Sequence, residues 1–208
     1  MAERRYLPAA GRDAFLPLYD PFVRLFGFAK AVEPLITQAA LEPQHAVLDV
    51  GCGTGTLAVT IKRRYPTVRV TGLDPDPKAL ALAGRKAARA GVAIELDEGF
   101  AGAMRYPNAS FDRVFSSMMF HHLPKDEKRR MLAESRRVLT PGGRLELLDF
   151  AGAARSLLAH MLHGRQPLPP PQEDPLVQRM REAGFADARR LGDRDTFFGR
   201  IAYYEALA

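Results

Sequence analysis

One cysteine, no tryptophan and no apolar run of membrane-spanning length set the first limits on this chain. Cys52 alone cannot close an intrachain disulfide, so a cysteine-stapled secreted scaffold is excluded and a reducing compartment fits. A membrane helix needs roughly 20 consecutive apolar residues, and no stretch comes near that. The opening MAERRYLPAAGR has basic residues with no apolar segment behind them, so no secretory leader is predicted and the expected location is the cytoplasm. Internal repeats are also missing. So is a long basic tract: the net charge of +6 comes from scattered groups such as Arg63 and Arg64, Arg85 and Lys86, and Lys128 to Arg130. These read as solvated helix faces, and no nucleic-acid partner is expected. His160 and His163 lie one turn apart without a carboxylate or cysteine at ligand spacing, so no metal site is predicted.

What is present is an alternation of strand and helix signals over a chain of 208 residues, 47% of them hydrophobic, which is read as one domain over 1–208. Residues 1–20 look irregular. A helical pattern follows from Phe22 to Ala40, with Gly27 and Pro34 suggesting a break into two pieces. Strands are predicted at 46–50, 68–73, 92–96, 111–119 and 144–150, and helices at 77–90 and 125–139 between them. The second of these helices carries Met131, Leu132, Ser135, Val138 and Leu139 on one side. Such alternation argues for an α/β fold with a parallel sheet and helices on both faces. The pattern stops after Asp149. A helix-prone piece, 153–163, and the proline-rich run 167–175 precede a helix closed by Gly184. Strand candidates 188–191 and 197–204, joined through Gly192-Asp193-Arg194-Asp195, read as a closing antiparallel hairpin.

The richest stretch is Val47 to Ala58, VLDVGCGTGTLA. Val47, Leu48 and Val50 suit a buried parallel strand interrupted by Asp49. Gly51, Gly53 and Gly55 then allow unusual backbone angles and let a ligand approach the main chain, before a helix begins past Thr54. Open α/β sheets bind ligands at this kind of strand end. A nicotinamide fingerprint needs its third glycine three residues after the second; that place holds Thr56. Asp74 ends the second strand, where an acid accepts both hydroxyls of a ribose. The same aspartate could instead cap the helix that starts at Pro77.

The ordered segments VLDVGCGTG (47–55), VTGLDP (70–75), SFDRVFSS (110–117), HHL (121–123) and RVLTPGGRL (137–145) resemble class I S-adenosylmethionine-dependent methyltransferases, nearest to the ubiquinone/menaquinone C-methyltransferase group. The resemblance covers about residues 45–150. It implies a Rossmann-like doubly wound sheet, mostly parallel with an antiparallel C-terminal strand, with N-terminal helices (1–44) and a helical, proline-rich insertion (151–175) on the acceptor side, before a closing helix and hairpin (176–208). It implies S-adenosylmethionine as cofactor and S-adenosylhomocysteine as product. Asp49, Gly51, Gly53, Thr54 and Gly55 would surround the methionine part, Asp74 with Pro75 the ribose, and Ser117 the amino-acid end. Tyr19 matches a Tyr-Asp pair that folds over the donor, although it would serve equally as a packing residue. The adenine contact falls on Phe100-Ala101, where the family has an acid or amide. Phe100 departs from that pattern, leaving adenine to stacking, main-chain contacts, Asp97 or Glu98.

His121 and His122 follow the fourth strand on the side where an acceptor would sit, and either is a candidate general base near neutral pH. Phe22, Phe26, Phe28, Met118, Met119 and Phe120 suggest a small apolar or aromatic acceptor, though residues of this kind are also ordinary core. An RNA or protein methyltransferase, a protein that binds the donor without catalysis, and a nicotinamide oxidoreductase are the competing readings. A base-amino methyltransferase of this fold would carry Asn/Asp-Pro-Pro-Tyr where this chain has Ser116-Ser117-Met118-Met119.

Overall fold

The computed structural model describes residues 28–151, 174–196 and 199–208, with side chains from residue 31 onward. Tyr19, Phe22, Phe26, the side chain of Phe28, His160, His163 and the insertion 152–173 lie outside the described residues.

The first described helix, α1 (Phe28–Gln38), contains Pro34. No break occurs at Pro34, and Gly27 lies outside the described residues. Pro34 lies on the exposed face, where the carbonyl it leaves without a partner can reach water, while Ala31, Val32, Leu35, Ile36 and Ala39 bury the opposite face. Strand β1 (Ala46–Val50) is buried at every position, as a central parallel strand must be. It runs through the glycine loop into α2 (Thr56–Arg64). Then come β2 (Arg69–Asp74) and α3 (Pro77–Arg89). Asp76, not Asp74, caps α3: its carboxylate accepts the Lys78 amide at 2.9 Å, with Pro77 at the first helical position. Gly91, at φ 67°, ends the helix, and the Val92 amide folds back onto the Ala87 carbonyl at 3.1 Å. That closure uses Val92 for the helix, so β3 is Glu95–Glu98, later than the sequence pattern suggests.

Strand β4 (Phe111–Ser117) leads through a single 3-10 turn, Phe120–His122, into α4 (Lys125–Val138), whose buried residues are Met131, Leu132, Ser135 and Val138. Strand β5 (Leu139–Phe150) starts earlier than expected and includes Pro141-Gly142-Gly143. The ladder with β4 skips from Phe111–Leu139 to Arg113–Arg144, so those residues form an irregularity inside the pairing. After α5 (Pro175–Glu182), capped by Asp174, the hairpin is β6 (Asp187–Thr196) and β7 (Gly199–Leu207). The turn expected at Gly192–Asp195 is strand. β6 is an edge strand with almost every side chain in water, so polar residues are stable there. The surplus residue is absorbed between Arg190 and Gly192.

Among the described residues the strands form one seven-stranded sheet in the order β3-β2-β1-β4-β5-β7-β6. All neighbours are parallel except β5–β7 and β6–β7. Two apolar layers cover its faces. One joins Leu48, Val50, Val114 and Leu147 to α4 and α5; the other joins Val47, Val70, Phe115 and Leu148 to α1 and α2. Strand order reverses between β1 and β4, and the crevice at their carboxyl ends is the position for a ligand in this architecture.

Two polar clusters hold the periphery. Arg137 on α4 donates to the carbonyls of Met104 (3.1 Å) and Tyr106 (2.8 Å) and to Asn108 Oδ1 (2.9 Å), while its partner Glu134 accepts the Met104 amide at 2.8 Å. This pins the long connection from β3 to β4. In the sheet, Glu146 is fully buried and accepts from Gln38 Nε2 at 2.6 Å, with its second carboxyl oxygen unpartnered. It faces Glu205 across the ladder, and Glu205 takes Arg144 at 3.1 Å and Arg189 at 2.6 Å. Burial, then repulsion from Glu205, pushes the Glu146 carboxyl up to about 8, against the opposing effects of Gln38, Arg113 and Arg144.

Candidate active site

The cradle is made where β1 ends. Gly51, Gly53 and Gly55 have φ of 71°, 53° and 75°, a backbone that side-chain-bearing residues rarely adopt. Gly51 also needs space, because a Cβ there would run into Met119 Cγ. The amides of Gly51 and Cys52 both donate to the Leu73 carbonyl, at 2.8 and 3.1 Å, which stitches the loop to the end of β2. The Gly53 amide donates to Asp74 Oδ2 at 2.8 Å, and the Asp76 amide to Asp74 Oδ1 at 2.9 Å. Two segments that the sequence pairs only by spacing are thus one hydrogen-bonded unit.

Two carboxylates lie beneath it. Asp49 is buried with Oδ2 unpartnered. Burial and then the neighbouring Asp74 push its carboxyl up to about 7, with the Ala58 amide acting in the opposite direction. Asp74 is also raised, chiefly by burial, with the Asp76 and Gly53 amides restraining the shift. A buried acid with an open oxygen beside a second acid is a site for positive charge or for hydrogen-bond donors. Thr54 lies in the loop, but its hydroxyl is engaged by Lys86 Nζ at 3.0 Å, which also holds Thr56 at 2.8 Å. Lys86 therefore turns onto the loop and is not part of a solvated basic face. Cys52 packs its sulfur against Gly72, and burial pushes its thiol up.

Pro75 and the Phe100-Ala101 pair flank Asp74. The Gly99 amide donates to the Asp74 carbonyl at 3.1 Å, which brings the loop after β3 alongside, and both Phe100 and Ala101 are half-buried there. Asp97 accepts from the Tyr106 hydroxyl at 2.9 Å. On the other flank, half-buried Ser117 ends β4, and Met118 follows at φ 55°, its amide on the Leu148 carbonyl at 2.8 Å. This sharp exit turns Met119 over Gly51.

The histidines then separate. His121 Nδ1 is 2.6 Å from Asp149 Oδ1, and its amide donates to Asp149 Oδ2 at 2.8 Å. Its ring meets Phe150 edge-on with centroids 5.0 Å apart. The His122 ring is tilted 41° to that of His121 with centroids 3.9 Å apart; partial burial of its ring, followed by repulsion from His121 when that ring is protonated, lowers its pKa. Asp149 was missed as a site residue. Its signal was an acid directly after Leu147-Leu148 near the end of a predicted strand. Among the described residues no group of three His, Cys, Asp or Glu is placed to hold a metal, and no helix is long and apolar enough to cross a membrane.

Residues 47–143 match the methyltransferase domain family. A demethylmenaquinone methyltransferase of Deinococcus radiodurans is 42% identical over 120 residues, which are 58% of this chain and 49% of that protein. The O-methyltransferase rstn1 of Aspergillus nomiae is 33% identical over 156 residues, 72% of this chain and 68% of that protein. The chain spans about half the length of the curated relatives it matches at higher identity, 49%, 61% and 38% of three of them. A crystal structure of a SAM-dependent methyltransferase from Aquifex aeolicus superposes with a TM-score of 0.63 at 20% identity, covering 85% of this chain and 89% of that one, a likeness of fold. With a domain match that opens on the cradle's own strand and a relative matched over 68% of its length, this chain belongs to the class I S-adenosylmethionine-dependent methyltransferases.

Proposed function

We propose that the chain transfers a methyl group from S-adenosylmethionine to a small apolar or aromatic acceptor, releasing S-adenosylhomocysteine. The observation that carries this reading is the 2.8 Å bond between Gly53 and Asp74 at the point where strand order reverses. The residues fit the donor. The open oxygen of Asp49 and the glycine backbone suit the ammonium and carboxylate of its methionine part, with Thr54 contributing main chain and Ser117 at the amino-acid end. Asp74, beside Pro75, keeps lone pairs for the ribose hydroxyls after accepting one amide on each oxygen. Phe100 and Ala101 offer adenine an apolar face and main-chain groups where the family has an acid or amide. Tyr19 enters this reading through the family resemblance alone. When bound, the donor supplies a methyl group already activated by positive sulfur, so the chain's own work is orientation and proton handling.

Half-buried Met119 over Gly51 and Phe150 edge-on to His121 border the turn, which supports an apolar or aromatic acceptor, whereas Phe120 is buried in the core and Met118 packs with the other apolar layer. The names of the relatives, a quinone methyltransferase and an O-methyltransferase, point to small molecules. The reading treats residues 1–208 as one domain working in the cytoplasm without a nucleic-acid partner. Titration calorimetry tests it: S-adenosylhomocysteine binds and NAD does not. Binding of NAD in its place would overturn the reading.

A further inference from the structure

We propose that His121 accepts the acceptor's proton through Nε2, that Asp149 is its positioning residue, and that the acceptor is an aromatic hydroxyl compound of the phenol or hydroquinone class. The proposal rests on the methyl-transfer reading above.

An ionised carboxylate can only accept hydrogen bonds, so the 2.6 Å approach of Asp149 Oδ1 to His121 Nδ1 places the ring hydrogen on Nδ1 and leaves Nε2 with its lone pair. Asp149 does not act on the ring alone. Oδ2 accepts the His121 amide at 2.8 Å, and Oδ1 also takes the Phe150 amide at 2.7 Å, so the carboxylate fixes backbone and ring together. It is 3% exposed, whereas the His121 side chain is 30% exposed, so one end of the dyad is anchored and the other is accessible. The turn that carries His121 also carries Met119, whose side chain lies on Gly51 in the glycine loop. The base therefore stands beside the cradle, with Phe150 forming an aromatic wall against its ring. Among the described residues the charged or titratable groups facing His121 are Asp149, His122 and Lys128, the last with Nζ 3.5 Å from the His121 carbonyl. No carboxylate among the described residues is hydrogen-bonded to the His122 ring, so the two histidines of the motif have different roles.

A fixed neutral imidazole suits a particular acceptor. A thiol ionises unaided close to neutral pH, whereas a phenolic hydroxyl, with a pKa of about 10, needs a base in contact. In the step, the acceptor's O–H bond breaks and its proton passes to Nε2. The acceptor oxygen's electron pair forms the bond to the methyl carbon, and the pair from the broken carbon–sulfur bond stays on sulfur. S-adenosylhomocysteine and an imidazolium paired with Asp149 remain, and the proton leaves to solvent through the exposed edge of His121.

The whole chain, bound to S-adenosylhomocysteine, is examined by long-range 1H–15N correlation, and turnover with catechol, 1-naphthol and 1,4-naphthohydroquinone is followed from pH 5 to 9. The expected result is a Nδ1–H tautomer for His121 and methylation of a hydroxylated probe at a rate that falls on the acid side as His121 protonates. Asp149→Asn sets an amide donor against one of three hydrogens and lowers kcat by roughly 10²–10⁴-fold, with the affinity for S-adenosylhomocysteine unchanged. His121→Gln keeps both backbone bonds to Asp149, so the turn survives, and it removes the acid limb together with a similar share of turnover. A Nε2–H tautomer in the unaltered protein, a His121→Gln rate within about threefold of normal, or no methylation of any probe by a chain that binds S-adenosylhomocysteine overturns the proposal. Failure to bind S-adenosylhomocysteine overturns the methyl-transfer reading itself.

Discussion

The carboxylate of Asp74 accepts the amide hydrogen of Gly53 at 2.8 Å, joining the end of the second strand to the middle of the glycine loop that follows the first. The acid proposed to hold the ribose is also a support of the cradle. Its second oxygen takes the Asp76 amide at 2.9 Å, which sets the start of α3.

Asp74→Ala is accordingly expected to lose stability as well as donor affinity. Two backbone donors are left without a partner, at about 1–3 kcal/mol for a buried group, and affinity for S-adenosylhomocysteine falls at least tenfold. Asp76→Ala is the control. It removes only the cap on Lys78, about 1 kcal/mol, and leaves affinity intact. Urea denaturation and calorimetry measure both quantities. Unchanged affinity in Asp74→Ala would remove the ribose role.

Gly51→Ala meets both a left-handed backbone, φ 71°, and the side chain of Met119. Gly91→Ala meets a similar backbone, φ 67°, with open space around it. Each is expected to lose about 1–2 kcal/mol of stability from backbone strain. Only Gly51→Ala also weakens S-adenosylhomocysteine binding by tenfold or more. Equal affinities in the two variants would show that the close approach at Gly51 is unimportant for the ligand.

Glu146 makes stability pH-dependent in a direction unusual for a carboxylate. Its folded pKa, about 8, lies above the ordinary 4.5, so the folded state holds the proton more tightly than the unfolded chain. The stabilisation is complete below the unfolded value and is lost as pH rises through the folded one. Between pH 6 and 9 urea denaturation should show a loss of about 3 kcal/mol, and Glu146→Gln should flatten that slope. Raised Asp49 acts in the same direction around pH 7, so a smaller slope remains. A flat profile in the unaltered protein would contradict this account.

Arg137→Ala releases the connection between β3 and β4 from α4. Three acceptors, the Met104 and Tyr106 carbonyls and Asn108, lose their donor at once. A loss of about 1.5–3 kcal/mol is expected from hydrogen bonds to a charged group. Hydrogen exchange should accelerate over residues 99–110 before it does in β1 or β4, and uniform exchange across the sheet would argue against a local pin.

The parts of the fold legible in the sequence are those set by local pattern. The fully buried β1, the glycines of the loop and the amphipathic face of α4 follow from periodicity and backbone freedom. The misread parts depend on neighbours. Pro34 stays in a helix because its face is in water while Leu35 and Ile36 are buried. Gly192 to Asp195 continues a strand because β7 pairs with it. In the candidate site, Asp74 stands out in the sequence by its place at the end of β2, but its bond to Gly53 exists only once β1 and β2 align. Asp149 meets His121 only because β4 and β5 pair in register, Ser117 opposite Leu148, so that both chain exits lie side by side. No local pattern carries that information.

The irregularity between Arg190 and Gly192 has an effect outside the site. β6 forms one margin of the sheet, and a long straight margin would be a template for another chain's strand. Here the margin is bent, and it is crowded with Arg189, Arg190, Asp193 and Asp195, engaged with Glu205, Asp174 and Arg200. β3, the opposite margin, is only four residues long and carries Glu95, Asp97 and Glu98. Among the described residues, both margins therefore carry features that oppose strand-to-strand pairing with another copy of the chain.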